Sequence, residues 1–300
     1  MKENEAELTG EMRDGESDTA DAPHRPPLWR LILRSRLALL GLLVVCFWVG
    51  LAVCAPLVTP YDPLTSQDAY NTLAPPSGAH WLGTDDTGRD VLSRLAFGGR
   101  NSLGIGVSVV VSGVVVGLLL GGLAGFVGGV LDELVMRLAD IVFAFPIIVL
   151  AMAISAALGA SLTNAVIAMA AVWWPSYARV VRGLVLEIKA REYVLAARAV
   201  GAGEWRILWR TVLPNTIGPI VVLATLDLGN AILTVAGLSF IGFGVPAPTP
   251  EWGTMISTAQ KNGPDYWWLF VFPGTAIFTT IIGFNFFGDA LRDALDPRTR

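Results

Sequence analysis

The sequence predicts an all-α polytopic membrane protein with six transmembrane helices. Three observations carry that expectation. The chain is 53% hydrophobic and only 15% charged over 300 residues, with a mean hydropathy of +0.58, which is too apolar for a soluble domain. Six apolar intervals alternate with stretches bearing charge, proline or glycine. Lysine and arginine concentrate in alternate connections, as the positive-inside bias requires.

The chain opens on a polar tail. Residues 1–24 hold Glu3, Glu5, Glu7, Glu11, Asp14, Glu16, Asp18 and Asp21 against Lys2 and Arg13. This tail carries −6, so the formal net charge of −4 hides +2 over the remainder. With almost no large apolar side chain it cannot offset its ordering entropy, and a disordered acidic tail is expected. Residues 25–100 read as a basic approach, a first transmembrane helix at 37–57 and an external loop. Residues 101–300 read as a core with five further spans. The first span has about 21 uncharged residues, close to the roughly 20 that cross about 30 Å of hydrocarbon. It starts too late and runs too long for a cleaved signal peptide. Cys46 and Cys54 both lie in it, where neither a disulfide framework nor a zinc site is expected.

The external loop contains a dense charge cluster: Asp85, Asp86, Arg89 and Asp90, then Arg94 and Arg100. It reads either as a metal or anion site, or as opposite charges pairing with one another. The spacings Asp85–Arg89 and Asp90–Arg94 suit i, i+4 helical pairs, although Gly88 argues against one unbroken helix. The second span, 102–130, has glycine at 113, 117, 121, 125 and 129. On a helix these form a ridge without side chains, which lets another helix approach closely, within this chain or in a second one.

Residues 131–140 read as a short polar connection. The third span is 141–158, with Pro146 near its start, and 159–164 is a tight turn. The fourth, 165–181, is short and carries Trp173, Trp174 and Pro175. The fifth is 216–240 and the sixth 269–287, with a polar tail after it. The loop at 242–268 is rich in proline and tryptophan, and Trp267 and Trp268 suit an interfacial aromatic belt.

Residues 191–215, REYVLAARAVGAGEWRILWRTVLPN, are the longest polar-containing interval in the second half. Tyr193, Ala196, Ala197 and Val200 recur at helical spacing, Gly201-Ala202-Gly203 lets the chain reverse, and Trp205, Leu208, Trp209 and Val212 repeat the spacing. Pro214 is expected to end the second helix. A short amphipathic hairpin outside the bilayer suits docking into another protein.

Six spans put both termini on one side. That side holds Arg25, Arg30, Arg34, Arg36, Arg137, Arg179, Arg182, Lys189, Arg191, Arg198, Arg206, Arg210, Arg292, Arg298 and Arg300; the other holds Arg89, Arg94, Arg100 and Lys261. The termini and the hairpin (184–214) are therefore expected in the cytoplasm.

No catalytic constellation stands out. There is no G-x-x-x-x-G-K-[ST] loop for nucleotide. His24 and His80 have no Cys or His partner at metal spacing, so no metal site is expected from them. The basic residues follow topology and form no nucleic-acid stripe. Asp227 lies near the middle of the fifth span, where an acid costs roughly 2.5–3.5 kcal/mol on insertion scales. It reads as a pathway group or as a hydrogen-bonded packing residue, with Asn230 one turn away. An ion-driven carrier or channel would need more such groups.

The hairpin resembles the coupling loop of ATP-binding-cassette importer permeases, whose pattern is E-A-A, three residues, G, nine residues, I-x-L-P. Ala196, Ala197, Gly201, Leu213 and Pro214 match; Leu195 replaces the Glu and Thr211 the Ile. LGTDDTGRDVLSRLAFGGRNSL, AGFVGGVLDELVMRLAD, WPSYARVVRG, LSFIGFGVPAPTPEWGTM and GDALRDALDPRTR are similar to the dipeptide/oligopeptide/nickel subfamily, and within it to the C-type subunit. The resemblance runs from about Arg34 to the end.

It implies a type I importer permease (MetI-like) fold in the bacterial inner membrane. It implies four kinds of partner: a homologous B-type permease, two ATPase subunits, an extracytoplasmic binding protein and the lipid bilayer. ATP and Mg²⁺ would sit on the ATPases, with no cofactor on this chain. Glu192, Tyr193, Ala196, Ala197, Gly201, Ala202, Leu213 and Pro214 would form the ATPase-coupling surface, Ala196 and Ala197 as its smooth face. The implied cargo is a short peptide, with nickel or another small solute as the alternative.

Overall fold

The computed structural model describes residues 35–66 and 70–295. The acidic tail 1–24 lies outside the described residues, as do Arg25, Arg30, Arg34, Arg298 and Arg300. Among the described residues the fold is all helical, with one isolated bridge between Thr84 and Asp90.

Helix α1 (Arg36–Val53) is capped by Ser35, whose hydroxyl accepts from Ala38 N–H at 3.3 Å. A short α2 (Ala55–Val58) follows. Helix α3 (Val91–Val127) begins well before the expected 102, because Asp90 caps it by accepting from Ser93 N–H at 2.8 Å. It ends at Gly128 and Gly129, both with positive φ.

The connection expected at 131–140 is instead a helix, α4 (Gly129–Phe143). Pro146 then breaks the chain before α5 (Ile147–Leu158), and the two axes differ by 92°. The expected third span is therefore not one straight helix. At about 18 Å, α5 alone is shorter than the hydrocarbon layer. Helix α6 (Leu162–Lys189) is longer than the fourth span expected at 165–181 and keeps Pro175 inside it.

The remaining helices are α7 (Glu192–Ala199), α8 (Glu204–Ile207), α9 (Leu213–Phe240), α10 (Trp252–Asn262) and α11 (Trp268–Leu295). By length and apolarity four helical stretches can cross a membrane, or five if the bent α4–α5 pair is one span. The fourth expected span, α6, is not among them.

Small residues bring the spans together. The glycine ridge of α3 packs within the chain, against α6. A Cβ at Gly113 would lie 3.2 Å from the Trp173 and Tyr177 rings, and one at Gly125 would lie 2.9 Å from Arg182 O. At Gly117 and Gly121 it would overlap Tyr177 and the backbone of Ala178. Likewise α1 approaches α11 where Gly41 meets Gly283 and Phe286.

These contacts define two ends of the bundle. One gathers residues 59–66 and 70–100 with 243–268: Trp252 is buried, donates to Leu95 O at 2.9 Å and lies over Gly98 and Gly99. Trp268 belongs there too. It is buried and donates to Thr84 O at 3.2 Å, so it is a plug and not part of an interfacial belt; only Trp267 is exposed. The other end gathers the α3–α4 junction with the end of α6. There Lys189 Nζ donates to Gly125 O at 3.0 Å and Phe126 O at 3.2 Å, closing the carbonyls that α3 leaves open.

Candidate functional site

The hairpin forms as two helices, α7 and α8, around a tight reversal. Gly201 N–H donates to Arg198 O at 2.9 Å and Ala202 N–H to Ala197 O at 3.0 Å. That is a Schellman closure, and it needs a residue of positive φ at its centre; Gly201 has φ +84°. Arg198 and Glu204 clasp the turn with two hydrogen bonds at 2.7 and 2.9 Å. Donating these hydrogen bonds to the Glu204 carboxylate holds the Arg198 guanidinium above its ordinary pKa.

Pro214 does not end the hairpin. Residues Leu208–Val212 form a π-turn, and Leu213 N–H donates to Leu208 O, five residues back. The widened turn accommodates a proline that lacks an N–H. Pro214 sits in the first turn of α9, and helix runs without interruption from Glu204 to Phe240. The hairpin is thus a direct extension of a membrane-spanning helix.

The hairpin has an inner and an outer face, which differ from the expected grouping. Val194, Ile207, Leu208 and Val212 are buried against Val185 and Ile188 of α6, with Ala197 and Ala202 half-buried beside them. Leu213 is buried and fills the space over Gly122 of α3. Glu192, Tyr193, Leu195, Ala196, Gly201, Trp205, Trp209 and Pro214 are exposed, and Val200 is 84% exposed. So Ala196 and Ala197 do not share one outward face: Ala197 packs inward. Leu195 adds an exposed apolar side chain where the expected pattern has an acid. Thr211 is half-buried, and its carbonyl accepts from Asn215 Nδ2 at 2.6 Å.

Asp227 lies halfway along α9, about 21 Å from Leu213. Its Oδ2 accepts from Trp173 Nε1 at 2.6 Å and Tyr177 Oη at 2.9 Å, both on α6. Asn230 Nδ2 stands 3.5 Å from Oδ1, at the limit of a hydrogen bond. The carboxylate is half-buried and lines a cleft of about 470 Å³ with Trp173, Ser176, Tyr177, Asn230 and Thr234. Asp227 is thus a hydrogen-bonded residue that packs α9 against α6 and also borders a cleft. Tyr177 was not expected; its place one turn after Trp173 was the available signal.

The charge cluster is a closed clasp. Asp85 Oδ1 accepts from Thr87 N–H, Thr87 Oγ1 and Arg89 N–H at 2.8–2.9 Å. Its Oδ2 meets Arg89 Nε at 2.9 Å and Arg94 Nε at 3.3 Å. Arg94 also donates to Pro63 O and Pro248 O at 3.0 and 3.1 Å. The expected Asp90–Arg94 pair does not form. Asp90 caps α3 and meets His80 Nδ1 at 2.9 Å, so His80 is not isolated. The Asp85–Arg89 pair does form, in a turn at Gly88 (φ +73°) and not in a helix. Glu251, unremarked in the sequence, is fully buried; it caps α10 through Gly253 and Thr254 N–H and accepts from Ser102 Oγ at 3.0 Å. Among the described residues no group of three or more His, Cys, Asp and Glu could hold a metal ion.

Long apolar helices, packed through glycines and drawn out at one end into an exposed hairpin, define an integral membrane component. Residues 113–300 match the family described as binding-protein-dependent transport system inner membrane component, and residues 28–76 match the N-terminal transmembrane domain of oligopeptide transport permease C. The chain belongs to this family of transport permeases.

Among similar proteins, the dipeptide transport system permease protein DppC of Escherichia coli strain K12 is 45% identical over 94% of this chain and 96% of its own length. The protein of the same name from Alkalihalophilus pseudofirmus is 42% identical over 94% of this chain and 92% of its own. The glutathione transport system permease protein GsiD of Pectobacterium atrosepticum is 42% identical over 91% and 90%.

Proposed function

We propose that this chain is the C-type permease subunit of an ATP-driven importer of short peptides, without enzymatic activity of its own. The observation that carries the reading is the unbroken helix from Glu204 to Phe240. It joins an exposed hairpin at one end to Asp227 in the spanning region, so a push on the hairpin moves the wall of a cleft. A homologous B-type permease would supply the opposite wall. Two ATPases would bind and hydrolyse ATP with Mg²⁺, one of them against Tyr193, Ala196, Val200, Trp205 and Trp209. An extracytoplasmic binding protein would deliver cargo to the end holding Asp85 and Glu251.

Six crossings fit this reading, in the MetI-like arrangement of a type I importer. The bent α4–α5 pair makes the third, and α6, roughly 42 Å long, makes the fourth. Ser155 Oγ of α5 donates to Phe243 O beyond α9, which supports placing both chain turns at the external end. Gly41 near Gly283 supports placing the start of α1 and the end of α11 on one side. The arginine bias makes that side the cytoplasm of a cell bounded by this inner membrane. The similar proteins named for dipeptide and glutathione transport support a peptide cargo. No His, Cys or Met lines the Asp227 cleft, which disfavours nickel.

The test is uptake of a labelled dipeptide by proteoliposomes containing the whole complex. Uptake should require ATP on the ATPase side and persist with an uncoupler. Uptake without ATPase subunits that collapses with an uncoupler would overturn the reading in favour of an ion-driven carrier.

A further inference from the structure

The Asp227 cleft has a chemistry beyond that of a smooth wall. Two donors, Trp173 Nε1 and Tyr177 Oη, converge on Oδ2 alone. Among the described residues Oδ1 has only Asn230, at 3.5 Å, and so keeps acceptor capacity. Among the described residues no Lys, Arg or His nitrogen forms an ion pair with this carboxylate. Trp173 and Tyr177 are buried behind the carboxylate, so they hold it in place at the edge of the cleft. A carboxylate at the edge of a cleft with no cation of its own attracts an ammonium group by charge and by hydrogen bonding. Packing alone would not need it, since an uncharged amide oxygen could accept from both donors. The lining offers oxygen ligands and aromatic carbon with no imidazole or sulfur, so an organic cation fits better than a soft metal ion.

We propose that Asp227 Oδ1 is a transient docking point for the α-ammonium group of the peptide cargo midway across the membrane, with Trp173 and Tyr177 fixing the carboxylate that receives it. This rests on the peptide-importer reading above and adds which end of the cargo the pathway recognises. The site is a waystation: one charge in a half-open cleft holds a cation weakly enough for it to leave.

The experiment uses the complete importer in proteoliposomes, with the binding protein loaded to equal occupancy. The two cargoes are a dipeptide and its analogue with hydroxyl in place of the α-amine. Initial uptake is expressed as the amine-to-hydroxyl ratio. D227N keeps an acceptor for Trp173 and Tyr177 and removes the charge; it should lower the ratio at least tenfold. The double variant D227N/N230D, which restores the charge one turn away, should recover most of it.

If D227N does not copurify with its partners, N230K, at an exposed position in the same cleft, should lower the ratio by occupying Oδ1. An unchanged ratio in D227N, or in N230K where that is the variant used, overturns the proposal and leaves Asp227 a packing residue. Absence of ATP-dependent uptake of either cargo by the wild-type complex overturns the peptide-importer reading itself.

Discussion

Leu213 donates its N–H to the carbonyl of Leu208, five residues back, and this wide turn is what lets Pro214 lie within a continuous helix. In a regular α-helix the proline ring would meet the carbonyl four residues earlier, at a cost of about 3 kcal/mol or more. Deleting Thr211 removes the extra residue of the turn and restores that clash. The deletion should lower the melting temperature of the purified complex by several degrees. Adding P214A to the deletion should recover most of the loss, because a regular helix then has its amide. A deletion that melts like wild type would show that the π-turn is not what accommodates the proline.

The α3–α6 contact makes a second prediction. Gly121 lies against the backbone of Ala178, whereas Gly104 on the same helix has nothing within 4 Å of an added Cβ. G121A should cost about 1–3 kcal/mol by forcing the helices apart. G104A should be neutral or slightly stabilising, since alanine is the better helix former. Thermal melting in one detergent compares the two directly; equal effects would contradict the packing assigned to the ridge.

The clasp at Asp85 separates buried from exposed ion pairs. D85A strands both Arg89 and Arg94 in a buried setting, and a broken buried pair typically costs about 3–5 kcal/mol. E204A breaks a pair of comparable geometry at the exposed hairpin tip, where solvent screens the charges, and should cost much less. Yield and melting temperature of the two variants should differ in that order. The reverse order would mean that the Asp85 cluster is open to solvent.

Much of the fold was legible because its signals are local. Uncharged runs such as 37–57 mark spans, and glycines four apart mark a packing ridge, although only the structure shows that Tyr177 and Ala178 fill it. Gly201-Ala202-Gly203 marked the turn of the hairpin. What failed depended on backbone geometry and pairings that composition and spacing do not announce. Pro214 reads as a stop because the compensating turn at 208–212 has no composition of its own. Trp268 reads as a belt residue because its partner, the Thr84 carbonyl, is 184 residues away. His80 looks solitary until Asp90 folds back onto it. The split of α4 from α5 follows from Pro146, yet the size of the bend, 92°, could not be read from spacing.

Within the candidate site the same division holds. Spacing marked the outward position of Tyr193 and Ala196. It put Ala197 on that same face, where the structure turns it inward, and Leu213, grouped with them by the resemblance, is buried over Gly122 of α3. Asp227 was conspicuous as a lone acid in an apolar run, while Tyr177 was hidden by its ordinary place in a helix.

The central claim is that the hairpin transmits the state of an ATPase into α9, and Gly201 is where it is most exposed to test. Within the chain a Cβ there meets nothing, so inside this subunit a substitution acts through the backbone, which must hold φ +84°. A non-glycine residue pays roughly 1–2 kcal/mol for that conformation, and valine more because it is β-branched. The decisive measurement is substrate-stimulated ATP hydrolysis by the reconstituted complex carrying G201V, with membrane insertion checked in parallel. The account predicts that G201V inserts normally and loses the stimulation. Normal stimulation in an inserted G201V complex would contradict it.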